Sequence, residues 1–151
     1  MNLKKLLSLL VKQEYNLKSL LNKGLEKKDT LVANDYDKLS EIVATEEQIL
    51  LSIQQLEEKR LSIMQNLFVE YKIDNQRYKL EILVSHLDGK VDPQYIVQIK
   101  AFEKRMKKII SGITEMNHLN LALIQQSRIL MNETLQAVMA TGSKALLDRK
   151  G

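Results

Sequence analysis

Side chains with obvious catalytic potential are few in this sequence and do not converge. The two histidines, His86 and His118, lie far apart, neither has a second histidine four residues away, and no Glu-x-x-His pattern repeats. Zinc sites and carboxylate-bridged di-iron bundles require such groupings, so no metal is expected, and each histidine reads as solvent-facing or capping. The sequence contains no Gly-rich phosphate loop, no Gly-x-Ser-x-Gly elbow and no acid pair at a spacing that demands an active site. An enzyme is not expected, nor is a cofactor. With no cysteine there is neither a disulfide framework nor a thiolate ligand, which suits a cytoplasmic protein.

A second kind of chemistry, recognition by contact, has a stronger signal. The stretch NHLNLALIQQSRILMN, residues 117 to 132, sets Asn117, Asn120, Ser127 and Asn132 among leucines and isoleucines and holds one charged residue, Arg128. Three columns at seven-residue spacing run through it: Ile109, Met116, Leu123, Leu130, Ala137; Ile110, Asn117, Ile124, Met131, Val138; and Ile113, Asn120, Ser127, Thr134. Together they form a face wider than a two-column seam, with amides and hydroxyls recurring among aliphatics. Buried amides without partners cost about 1 to 3 kcal/mol each, so a helix facing only its own core has little reason to carry them. Between Ile109 and Leu147 only Glu115, Arg128, Glu133 and Lys144 are ionised, so the opposite face is also poor in charge. Two readings stay open: the buried third helix of a bundle over residues 109–125, and beyond it a surface for another polypeptide, to which Met116, Met131 and Met139 would adapt.

The elements that must carry these residues follow from composition and punctuation. Five Gly and one Pro in 151 residues, with 44% hydrophobic and 28% charged, favour long helices in one all-α domain. The apolar run Leu6 to Val11 stops at Lys12, and nothing approaches the roughly 20 apolar residues of a membrane span, so no insertion is expected. A first helix, residues 2–32, carries Leu3, Leu7, Leu10, Leu17, Leu21 and Leu31 in one stripe, with Gly24 inside it as a local thin spot or the site of a close helix crossing. Asn34 or Asp35 then caps a second, residues 35–72, whose stripe is interrupted by Glu46 and Arg60 as the first is by Glu14. A hairpin turning between Ala33 and Asn34 sets Glu46 opposite Leu21 and Arg60 opposite Leu7, positions summing to about 67. These three charges must then find water, backbone or a third helix, and act as register devices.

Asp74 and Asn75 precede a short helix, residues 75–87, closed by Gly89, after which Asp92 and Pro93 open a long helix over 93–140, with a bend at Gly112 and a flexible tail at 141–151. The architecture expected is an elongated antiparallel hairpin plus a short helix and a long C-terminal helix, a three-helix coiled-coil-like bundle. Charge is uneven: seven acids stand against Lys38 from Asp35 to Glu58, and five bases against Glu103 from Lys100 to Lys108. The basic run has only Phe102 for stacking and no nucleic-acid motif, so it reads as a solvated face and nucleic acid is not an expected partner.

The order of these features resembles the FlgN family of flagellar export chaperones. The resemblance rests on the leucine-rich first helix with Glu14, the hairpin to an acidic second helix, LEEKRLSIMQNL with Arg60, and NHLNLALIQQSRILMNETLQAV, in which Asn117-x-x-Asn120 is followed by Leu123, Ile124, Leu130 and Leu135. It departs at the tail, where ATGSKALLDRKG lacks the tyrosine-and-glycine element of many relatives. The resemblance implies a cytoplasmic type III export chaperone that binds the amphipathic terminal segment of hook-associated, hook-filament junction proteins and delivers them to the export apparatus. The partner contact then falls on Asn117, Asn120, Leu123, Ile124, Ser127, Leu130, Met131, Thr134, Leu135 and Val138. A homo-oligomeric coiled-coil scaffold, with a homodimer through the same columns, and a filament-cap-type chaperone are the alternatives.

Overall fold

A computed structural model of the protein describes the backbone of residues 2–150 and their side chains, except those of Met131, Thr134 and residues 141–150. Four helices follow one another: α1 (Asn2–Ala33), α2 (Tyr36–Glu70), α3 (Leu80–Leu87) and α4 (Pro93–Lys150). No strand occurs among the described residues, and the fold is all-α.

Local chemistry accounts for each break. Asn34 takes the left-handed conformation at φ 55°, which an amide side chain tolerates, and the Asp35 carboxylate accepts from Lys38 N–H at 3.2 Å to cap α2. At the other end of α2, Lys72 is left-handed (φ 55°), and the N–H groups of Ile73 and Lys72 donate back to the Phe68 and Val69 carbonyls at 2.8 and 3.2 Å, the paired bonds of a Schellman stop. The expected start of the third helix at residue 75 is corrected to Leu80. Asn75 Oδ1 accepts from Arg77 N–H at 2.8 Å and Tyr78 sits at φ 47°, so an Asx turn and a left-handed residue prevent helix before that point. Gly89, at φ 73°, closes α3, and Asp92 accepts from Gln94 N–H at 3.0 Å as α4 begins. In place of the tail expected at 141–151, the backbone of α4 stays helical through Gly142 to Lys150; an interior glycine weakens a helix by about 1 kcal/mol but ends it only when it turns left-handed.

α1 is the central element, packed against α2 on one side and α4 on the other. It runs antiparallel to α2, as hydrogen bonds from Asn2 to Glu70, Gln13 to Glu57 and Lys27 to Glu46 record. Those pairs sum to 70–73, so the hairpin's centre falls at Asp35 or just beyond, and Glu46 faces Lys27 instead of Leu21. α2 thus returns the chain to the base, residues 71–92 turn it there, and α4 rises parallel to α1. The core gathers at that base, where Leu3, Leu6 and Leu10 meet Leu67 of α2, Leu83 of α3 and Ile99 of α4, all buried. Phe68 and Tyr78 add a tilted ring pair with centroids 5.1 Å apart.

Higher up, glycines set how near α1 and α4 can come. A Cβ at Gly24 would lie 2.9 Å from Met116 Cγ, so the close crossing that could explain this glycine is what the structure shows. Gly112 stands against Leu21, whose Cδ2 would be 3.4 Å from an added Cβ, an ordinary contact. The two glycines are thus unequal. Gly112→Ala should stabilise the protein by up to ~1 kcal/mol through helix propensity, whereas Gly24→Leu should destabilise it by ~1–3 kcal/mol through overpacking. Urea unfolding of the two variants beside the parent checks both signs.

Candidate functional site

The parallel pairing of α1 and α4 carries a fixed axial offset. Arg105 meets Glu14 across 91 residues of sequence, and Gly112 meets Leu21 at the same separation. At that offset the end of α1, Ala33, lies level with residue 124. α4 runs on to Lys150, so its last 26 residues, about 39 Å of helix, extend past the α1–α2 turn.

Two polar contacts hold the offset. Arg105 Nε and Nη2 donate to Glu14 Oε1 and Oε2 at 2.7 and 3.2 Å, a two-pronged pair, and Lys18 stands 3.6 Å from the same carboxylate. The Arg105 hydrogen bond is the largest influence on Glu14 and holds its carboxyl below the usual carboxylate range, although burial opposes this; the Arg105 and Lys18 charges act in the same sense as the bond. Further up, Asn120 Nδ2 donates to the Gly24 carbonyl at 3.0 Å, which the missing Cβ allows it to approach. Asn120 is 3% exposed and its Oδ1 finds no donor. Expected on a partner-facing surface, it is turned instead onto α1.

The remaining expected contact residues divide along the axis. Leu123, Ile124 and Ser127 are half-buried where α1 ends, while Asn117, in the same seven-residue column as Ile124, is exposed. Beyond them Leu130, Leu135 and Val138 are 56%, 57% and 63% exposed. Met131 and Thr134 share this stretch of backbone, but their side chains lie outside the described residues. Leu121 and Ile129, which the seven-residue columns do not include, are also more than half exposed, so apolar surface wraps the helix. The scarcity of charge on every face, with only Arg128 and Glu133 ionised from 125 to 140, is the signal that marks them.

Of the charges that interrupt the seams, Glu14 finds the third helix. Arg60 reaches the Tyr78 carbonyl at 3.2 Å and donates to Glu57, whose pKa falls mainly through that bond, with burial opposing. Glu46 finds Lys27 at 3.4 Å, a partner the hairpin register had not suggested. His86 Nδ1 lies 2.9 Å from the Ile82 carbonyl at the end of α3, a capping position, and His118 is exposed. Among the described residues no group of three or more His, Asp or Glu is arranged to hold a metal ion, and no helix is long and apolar enough to cross a membrane. What this arrangement can do is hold another chain by contact.

Compared with known proteins, residues 1–146 match the family model described as FlgN protein. No curated protein and no solved structure matches the chain.

The Glu14–Arg105 clamp has a pH signature. Because the folded-state pKa of Glu14 is depressed, its contribution is complete above the normal carboxylate range and disappears as pH falls through the lowered value. Thermal midpoints measured from neutral pH to about pH 3 should drop more steeply below about pH 4 for the parent than for Glu14→Gln, which lacks that titration.

Proposed function

The chain belongs to the FlgN family of flagellar export chaperones, and from that premise we propose that it holds hook-filament junction proteins by an amphipathic terminal segment laid along distal α4. It keeps these clients soluble in the cytoplasm and delivers them to the export apparatus. One observation carries the reading: α4 extends about 39 Å past its neighbours with Leu130, Leu135 and Val138 more than half exposed and almost no charge.

The physics of such a complex is helix pairing. A client terminus disordered in solution would fold as it lies down, burying its apolar face against Leu123, Ile124, Leu130, Met131, Leu135 and Val138, at about 25 cal/mol per Å² removed from water. Ordering the client offsets part of that gain, which suits a complex that must later release. Asn117, Ser127 and Thr134 would fix the register of the incoming helix. Asn120 is given a different role here, positioning α4 on α1 through the Gly24 carbonyl.

Leu123→Asp combined with Leu130→Asp should weaken binding of a hook-filament junction protein by at least about 100-fold, as two buried leucines are worth roughly 3 kcal/mol together. Far-UV circular dichroism should remain helical, because neither side chain is buried in the chain alone. Calorimetry with purified client reads the affinity. Unchanged affinity removes the client from this surface; a filament-cap protein retained in preference to a junction protein changes the client class. Light scattering that shows a stable dimer dissolved by the same pair favours the self-associating scaffold.

A further inference from the structure

Far from distal α4, the lower halves of α1 and α2 enclose a furrow made of two hollows, of 510 and 410 Å³, that share Lys12. Leu9, Leu56 and Ile63 give it an apolar lining. At its edge Val11 and Tyr15, one helical turn apart on α1, are 64% and 72% exposed. Four lysines, Lys4, Lys5, Lys12 and Lys59, complete the wall, and no Asp or Glu lines either hollow. All four are exposed, and none is in an ion pair among the described residues, whereas Lys18, Lys23, Lys27 and Lys107 each have a carboxylate partner.

We propose that this furrow is a second docking site, and that its occupant is an acidic amphipathic helix of another protein. Charge complementarity selects the occupant: aliphatic side chains would bury Val11, Tyr15 and Leu56, while flanking carboxylates meet the uncompensated ammonium groups. From Lys4 to Asn16 the furrow runs about 18 Å, which accommodates three turns of helix. Leu9, which is buried, and the half-buried Leu56 and Ile63 lie between the two helices, which favours a helix that enters the furrow over a bilayer that would meet only Val11 and Tyr15 at its edge. The site does not depend on the client reading of α4. Between Asn16 and the end of α1 lie 17 residues, about 25 Å, so both surfaces can be occupied together.

A labelled peptide of about four helical turns, with leucine on one face and glutamate on its flanks, titrated into the full chain by fluorescence anisotropy tests the proposal. Lys12→Glu with Lys59→Glu should weaken binding at least about tenfold. Lys104→Glu with Lys108→Glu, an equal charge change at exposed α4 positions outside the furrow, should alter it less than about twofold. Val11→Ser with Tyr15→Ser should weaken it without a change of charge, and circular dichroism checks that each variant stays helical. No binding by the parent chain, equal loss in the two lysine pairs, or loss only with Leu123→Asp and Leu130→Asp overturns it. So does lysine-dependent capture by phosphatidylcholine–phosphatidylglycerol vesicles without peptide binding, or a dimer by sedimentation that Lys12→Glu with Lys59→Glu dissolves.

Discussion

The parallel apposition of α1 and α4 governs the molecule, because it fixes both what is covered and what is left outside. It depends on one glycine, the amide that reaches it and one charge pair. Gly24 lets Met116 and Asn120 come against the backbone of α1, Leu21 packs on Gly112 at ordinary contact distance, and the Glu14–Arg105 pair sets the axial offset from below. A larger residue at Gly24 would push the helices apart, and a slip of one turn would break the two-pronged pair and strand the Asn120 amide away from its carbonyl.

From this offset follows an uneven distribution of burial. The base, where all four helices contribute, is sealed by leucines such as Leu3, Leu6, Leu67 and Leu87 at 1% exposure or less. Upward the core thins to α1 between its two neighbours, and past Ala33 α4 continues as a single helix. Isolated helices in water gain little from propensity alone, and most helical stability comes from packing an apolar face. Distal α4 has the apolar surface for such packing and, within its own chain, no helix at that height. A binding protein can use this economy: one end supplies stability, the other supplies surface.

Much of this was legible locally. A cap at Asn34 or Asp35, of which the structure uses Asp35, the left-handed Gly89, the Asp92–Pro93 start and the charge-poor stretch from 125 to 140 all follow from residue type and spacing, because caps, turns and amphipathic faces are short-range effects. Local signals also misled where two short-range options competed. Asn75 could cap a helix or close an Asx turn, and Tyr78 at positive φ decided for the turn. A tail was expected from residue 141, yet the helix continues through Gly142 to Lys150.

Sequence alone therefore determined that the chain is helical, where most helices begin and end, and that its last helix is too apolar to live as an ordinary surface helix. It could not say which neighbour each polar residue would find. Asn120 and Asn117 share the same pattern of neighbours, yet one is buried on Gly24 and the other is exposed; Glu46 was matched with Leu21 by a hairpin register that was several residues short. Periodicity specifies the face of a helix but not its sliding position along another. That position is set by contacts between residues some 91 apart in sequence, and only the assembled helices reveal how much of α4 extends beyond them.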